Sequence, residues 1–338
     1  MPTKKTRIAV IGAGRIGRVH AENIARLIPE AELVGVSDVK KEAADLLAKE
    51  LGTKSHVDYH DFLNDPSIDA IAICSSTDTH AQIIQEAAKK KKHIFCEKPI
   101  DLNLEKIRIS LTVVKESGVI FQLGFNRRFD PNFRRVAELV KKGELGTPQI
   151  VKITSRDPSP PPAEYVAVSG GMFLDMTIHD FDMARYLMGD EVVEVHTMGA
   201  VLIDPAIGKA GDVDTATIQL RYKSGALGII DNCRKAVYGY DQRVEVFGSK
   251  GCAQASNVAP NNVQMWMGDN VKQDLPHHFF IERYREAYLV ELREFIATVQ
   301  TGGKASVGGE DGLQSALIAM AATKSWKENR AVKISEFN

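Results

Sequence analysis

The run RIAVIGAGRIG at residues 7–17 decides how the first half of the chain folds. An apolar strand pattern at 7–12 passes without a break into Gly12-Ala13-Gly14-Arg15-Ile16-Gly17. A helical pattern, RVHAENIARLIP, follows at once. By itself G-x-G-x-x-G is a common glycine-rich turn. Between a strand and a helix it is the turn that receives a dinucleotide. Gly12 permits the tight turn, Gly14 lets the backbone approach a pyrophosphate, and Gly17 lets helix and strand pack closely. The helix start at Arg15 and Ile16 then offers unpaired N–H groups to the phosphates.

Further along, apolar strand candidates AELVGVSD (31–38), AIAICSS (70–76), HIFCEK (93–98) and GVIFQLGF (118–125) alternate with helical stretches such as VKKEAADLLAKELG and THAQIIQEAAKKK. Strands that are apolar throughout belong to a parallel sheet covered on both faces. The expectation is a doubly wound α/β Rossmann-type domain over 1–123. After about residue 147 the pattern changes. A Pro-rich loop, RDPSPPPAEY (156–165), is followed by long strands with mixed faces at 192–203, 214–222, 225–234 and 242–248. Helices at roughly 281–300 and 311–326 end the chain. Residues 124–338 are therefore expected to form an α+β domain around a large, predominantly antiparallel sheet, serving substrate binding and oligomerisation.

At 338 residues the chain is long for one core, which agrees with two domains. Forty-three basic residues against 44 acidic ones, with no long basic block, argue against nucleic acid or an anionic membrane as partner. No apolar run approaches the roughly 20 residues that span a bilayer. The N-terminus has no signal-peptide core, and Cys74, Cys96, Cys233 and Cys252 form no CxxC pair, so a cytoplasmic protein with reduced thiols is expected.

Ligands of such sheets bind beyond the carboxyl ends of the strands. The second strand ends in Asp38, 21 residues after Gly17. A carboxylate there accepts the ribose hydroxyls of NAD and repels a 2′-phosphate. Val39 follows rather than arginine, although Lys40 and Lys41 stand close by. NAD is the expected cofactor. Ser75, Ser76 and Thr77 end another strand and line the nicotinamide side, with His80 in the next helix either a cofactor contact or a packed helix-start residue. Glu97-Lys98-Pro99 ends the next, and the proline narrows the conformations open to Lys98.

The second half carries an unusual helix, MFLDMTIHDFDMARYLMG at 172–189. Met172, Met176, Phe181, Met183, Ala184, Leu187 and Met188 form a buried side, yet Asp175, His179, Asp180 and Asp182 interrupt it. Asp175 and His179 are four apart and stack on one helical face. The pattern allows a metal site, a carboxylate-oriented general base, or plain solvation. A metal needs further converging ligands, and Asp180 lies some 100° around the helix from His179; no metal is expected. Asp180 and Asp182 are read as helix-surface groups or packing partners of Arg185.

Taken together, G-x-G-x-x-G at 12–17, E-K-P at 97–99, GFNRRFDP at 124–131 and D-x-x-x-H at Asp175 and His179 resemble the glucose–fructose oxidoreductase and inositol dehydrogenase family, within it most the bacterial inositol 2-dehydrogenases. The resemblance covers nearly the whole chain in order. It implies a catalytic triad of Lys98, Asp175 and His179, with Arg127, Asp157 and Tyr238 touching the hydroxyls of a cyclic polyol such as myo-inositol. Histidine suits removal of a hydroxyl proton because it titrates near neutral pH. Asp175 would stabilise the imidazolium, and Lys98 would favour the developing alkoxide. A pyranose dehydrogenase with the same triad and a catalytically silent dinucleotide sensor are the alternatives. The resemblance also implies a homo-oligomer, a tetramer, assembled through sheet faces. Along 214–222 Ala216, Ile218, Leu220 and Tyr222 alternate with Thr215, Thr217, Gln219 and Arg221, but other strands blur the division. The second face of the wide sheet, mixing apolar, hydroxyl and charged groups, is more apolar than water exposure favours and too polar for a core. Along 192–203 the expected division puts Val193, Val195, Thr197 and Val201 on one side.

Overall fold

The computed structural model describes residues 4–337, and the chain divides into two compact units. The first comprises residues 1–129 and 286–314, the second 130–285 and 315–338.

In the first unit strands and helices alternate: β1 (Thr6–Ile11), α1 (Arg15–Leu27), β2 (Ala31–Ser37), α2 (Lys41–Leu51), β3 (Lys54–His56), α3 (His60–Asn64), β4 (Ala70–Ile73), α4 (Thr77–Lys89), β5 (His93–Glu97), α5 (Leu104–Ser117) and β6 (Phe121–Gly124). The strands lie in the order β3-β2-β1-β4-β5-β6, and all are parallel. This is the expected doubly wound sheet. Its core strands are apolar because they are covered on both faces: Ile8, Val10, Ala70, Ile71, Ile94 and Phe95 are fully buried.

The second unit contains α6 (Pro131–Lys141), β7 (Pro148–Arg156), α7 (Ala163–Ser169), a π-helical turn at Met172–Met176, α8 (Ile178–Met188), β8 (Val192–Ala200), α9 (Pro205–Lys209), β9 (Thr215–Tyr222), β10 (Leu227–Cys233), β11 (Asp241–Gly248) and β12 (Gly251–Ala255). A two-stranded hairpin, β13 (Gln264–Trp266) with β14 (Val271–Gln273), precedes α10 (Phe280–Arg283). Next come α11 (Arg285–Thr301), which belongs to the first unit from Glu286 onward, α12 (Gly309–Glu328), and a short β15 (Val332–Lys333). The sheet order is β12-β11-β7-β10-β9-β8-β15. All its pairings are antiparallel except β7 with β10.

Strand β7 has no clear sequence signature, although Val151, Ile153 and Ser155 point into the core in strict alternation. Along β9 the expected alternation holds: Ala216, Ile218, Leu220 and Tyr222 are buried. Along β8 it does not. The register with β9 shifts between Val192 and Glu194, so Val192, Val195 and Thr197 are buried while Val193 faces out. A bulge of this kind puts an extra residue opposite its partner and reverses the faces.

Candidate active site

The cofactor end of the first unit starts at the glycine turn. Gly12 has φ +101°, and a Cβ there would stand 2.5 Å from the carbonyl of Cys74. A Cβ on Gly17 would fall 1.9 Å from the oxygen of Gly12, so α1 packs on the turn only with hydrogen at that position. Around Gly14, by contrast, nothing lies within 4 Å of a built Cβ. Gly14 is also the N-cap of α1, with no side chain capping the helix. Open space in front of uncapped helix amides is a cradle that fits a pyrophosphate.

Asp38 follows β2 directly. Its Oδ2 accepts the backbone N–H of Ala13 at 2.8 Å, and its Oδ1 accepts that of Lys40 at 2.8 Å. The carboxylate therefore ties the glycine turn to the second strand end. Val39 is exposed. At the end of β4, Ser75 Oγ lies 2.7 Å from Thr79 Oγ1, Ser76 occupies the N-cap position of α4 without a side-chain capping bond, and Thr77 opens the helix. His80 is buried, with Nδ1 2.8 Å from the Pro99 carbonyl oxygen and Nε2 3.1 Å from that of Ser75. Burial lowers its imidazole pKa, against two carbonyls that favour the proton. The ring thus links the β4 end to the E-K-P turn, in which the Lys98–Pro99 bond is cis. Glu97 is buried and Lys98 half-buried. Arg127 sits buried in the 3-10 turn Asn126–Phe129, just after β6.

In the second unit the motif D-x-x-x-H does not lie on one continuous α-helix. Asp175 belongs to the π-helical turn, whose wider spacing is marked by Thr177 N–H donating to Met172 O at 2.8 Å, and His179 sits in the first turn of α8. A buried polar network pins the junction. Thr177 Oγ1 donates to Asn232 Oδ1 at 2.7 Å, and Asn232 Nδ2 donates to Asp180 Oδ2 at 2.9 Å. This corrects the reading of Asp180 and Asp182 as helix-surface groups, for both are buried. Arg185 is bound by Glu191 at 2.7 Å. A helix buried all round places its carboxylates inside, where they are hydrogen-bonded.

Two residues beside Asp175 carried no signal in the sequence. Tyr165 donates to Asp175 Oδ1 at 3.1 Å, and the guanidinium of Arg234, itself almost wholly buried, lies 4.0 Å from Asp175 and 3.8 Å from Asp212. Burial raises the Asp212 carboxyl pKa above its ordinary value. The loop after β10 that supplies Arg234 also supplies Tyr238. The Tyr238 hydroxyl donates to Asp241 at 2.5 Å and accepts from Arg156 Nη1 at 3.1 Å, while Arg156 also pairs with Asp231. Burial, then the bond to Asp241, raises the phenol pKa. Asp157 is fastened to the same loop by its backbone: its N–H donates to Cys233 O at 2.9 Å, and its carbonyl accepts from Ala236 at 2.6 Å. One loop thus joins Asp175 to the Arg156–Asp157–Tyr238 group.

Comparison with known proteins agrees with this architecture. The family model for an oxidoreductase family with an NAD-binding Rossmann fold matches residues 6–125, and that for the GFO/IDH/MocA C-terminal domain matches 133–254. The chain is 53% identical to a myo-inositol 2-dehydrogenase of Thermotoga maritima over 98% of this chain and 99% of that one. It is 46% identical to an inositol 2-dehydrogenase of Rhizobium meliloti, over 97% and 99%. Among solved structures, a scyllo-inositol dehydrogenase from Lactobacillus casei with bound NAD(H) and scyllo-inositol superposes with a TM-score of 0.92 at 33% identity, covering 98% of this chain and 100% of that one.

Proposed function

The chain belongs to the GFO/IDH/MocA oxidoreductase family, and we propose that it oxidises a ring hydroxyl of an inositol, myo-inositol in the first place, to the ketone with NAD. NAD supplies the hydride acceptor. Gly12, Gly14, Arg15, Ile16 and Gly17 hold its pyrophosphate, Asp38 and Val39 its ribose end, and Ser75, Ser76, Thr77 and the E-K-P turn the nicotinamide side. His179 takes the hydroxyl proton. Asp175 supports the resulting imidazolium, and Lys98 stabilises negative charge developing on the oxygen. Arg127, Asp157 and Tyr238 bind the remaining hydroxyls. The observation that carries this reading is the anchorage of Asp175 by Tyr165 and the buried Arg234, one turn ahead of His179. A carboxylate so restrained fits the orienting partner of a base.

The active form in this reading is a homo-oligomer, a tetramer, in the cytoplasm. In support, no helix among the described residues is long and apolar enough to cross a membrane, and all four cysteines are free thiols. The outward face of the second sheet carries Phe247, Ile150 and Leu227 in adjacent register, with Ile229 beside them, all more than a third exposed. Such a patch suits a subunit contact. The test of the activity is absorbance at 340 nm with NAD and a panel of inositols and pyranoses. Reduction with myo-inositol is expected, and a flat trace across the panel overturns the proposal.

A further inference from the structure

Inside the first unit, behind the E-K-P strand end, three side chains from distant parts of the chain meet: His20 of α1, Glu97 of β5 and Glu291 of α11. His20 and Glu291 have no exposed surface and Glu97 has 8%. His20 Nε2 lies 2.7 Å from Glu97 Oε1, and since a carboxylate only accepts, that nitrogen carries the hydrogen. Neither oxygen of Glu291 has a hydrogen-bond partner, although one lies within 4.8 Å of both other groups. Phe95 and Tyr288 pack edge-on against the imidazole at 4.9 and 5.7 Å. The backbone makes room as well, because a Cβ on Gly124 would stand 3.1 Å from the Glu97 carboxyl carbon.

Two carboxylates this deep do not both ionise. Burial, and after it the charge of Glu97, pushes the Glu291 carboxyl well above the ordinary carboxylate range. The other titratable groups around Glu97 are the Cys74 and Cys96 thiols, both pushed up by burial, the His80 imidazole, and Lys98. A cation is the alternative means of neutralising the pair. Two ligands around one tetrahedral ion at about 2.1 Å stand about 3.4 Å apart, and the His20–Glu97 distance is a hydrogen bond instead. A proton fits the space better.

Lys98 follows the last residue of β5 directly, so fixing Glu97 inside the core fixes the strand end from which the backbone of Lys98 continues. We propose that Glu97 is a positioning residue for Lys98, its carboxylate held in the core by His20 and set against the buried Glu291, so that this cluster determines where the lysine stands. The proposal rests on the reading of Lys98 as a group that acts on the substrate hydroxyl.

Full-length protein with NAD and myo-inositol tests it through four variants, E97Q, H20F, E291Q and K98A. E97Q and H20F should lower kcat by about 10–100-fold, the loss that follows a small misplacement of a reacting group. They should also displace a limb of the pH profile of kcat, while in H20F, which leaves the E-K-P residues themselves intact, NADH binding, read by fluorescence, stays within about threefold. E291Q repeats the shape of the neutral acid and should keep the parental pH profile. Parental kcat and profile in both E97Q and H20F, beside an inactive K98A, overturn the positioning role alone. Near-parental turnover in K98A overturns the reading of Lys98 on which it rests. A profile shifted as far by E291Q as by E97Q also overturns the proposal, because the charge would then sit on Glu291. Should E97Q not fold, H20F, which removes the donor and leaves the carboxylate, supports or overturns the role by the same measurements.

Discussion

Replacing Glu291 by glutamine should stabilise the protein increasingly as pH rises. The folded state holds a proton on this fully buried carboxyl, whose pKa is raised by burial and by the Glu97 charge, whereas the unfolded chain releases it near the ordinary value of about 4.3. The sign follows from proton counting. A group whose folded pKa lies above its unfolded pKa binds more protons when folded. Its stabilising contribution is complete below the unfolded value and is lost as pH climbs towards the folded one. Across that window the parent should lose about 1.4 kcal/mol per pH unit relative to the variant, the value of one proton. With an unfolding entropy of about 2.1 cal/mol/K per residue, the 338 residues turn this into about 2 °C per pH unit. The assay is a pair of thermal melts, parent and E291Q, in matched buffers from about pH 5 to 8, well inside the range where the unfolded carboxyl ionises. Taking the difference removes every other titration the two proteins share. A gap that stays constant with pH, or that widens in favour of the parent, would mean that Glu291 is ionised in the fold, and the argument for a neutral acid in this core would fail.

Asp38→Ala should narrow the preference for NAD over NADP, measured as the ratio of kcat/KM values. It should also weaken NAD binding by roughly 1.5–3 kcal/mol, the cost of losing a charge-assisted hydrogen bond; an unchanged ratio refutes the ribose role. His179→Ala should lower kcat by about 10²–10⁴ with NADH fluorescence titration unaltered, and near-normal turnover would assign the proton to another group. Gly17→Ala, which sets a methyl 1.9 Å from the Gly12 oxygen, should abolish NAD binding in calorimetry, and parental affinity would show that the turn yields. Light scattering at micromolar concentration should give a multiple of 37.2 kDa, and the single-chain mass would sink the sheet-face assembly.

What the sequence exposed and what it concealed divide along a physical line. The parallel sheet was readable because covered strands write their burial as unbroken apolar runs, and because Gly12 and Gly17 have no substitute where a Cβ would strike backbone. Strand β7 was less conspicuous, since in PQIVKITSR apolar Ile150 faces out and polar Ser155 faces in, which blurs the alternation. The π-helical turn left no compositional trace. It is a change of hydrogen-bond partner by one residue, visible only in Thr177 reaching Met172. The bulge in β8 is of the same kind. Long-range polar pairing was the most deeply hidden. Asp180 reads as solvent-facing until Asn232 arrives from 52 residues away to bind it. Glu291 enters a core beside His20 and Glu97 only because α11 belongs to the first unit from Glu286 onward. Periodicity states which face of an element is apolar, but a buried carboxylate is tolerated only through the partner that neutralises it, and that partner is chosen by topology. For this chain the glycine turn was therefore local and legible, whereas the cluster proposed to position Lys98 is made by three elements that only folding brings together.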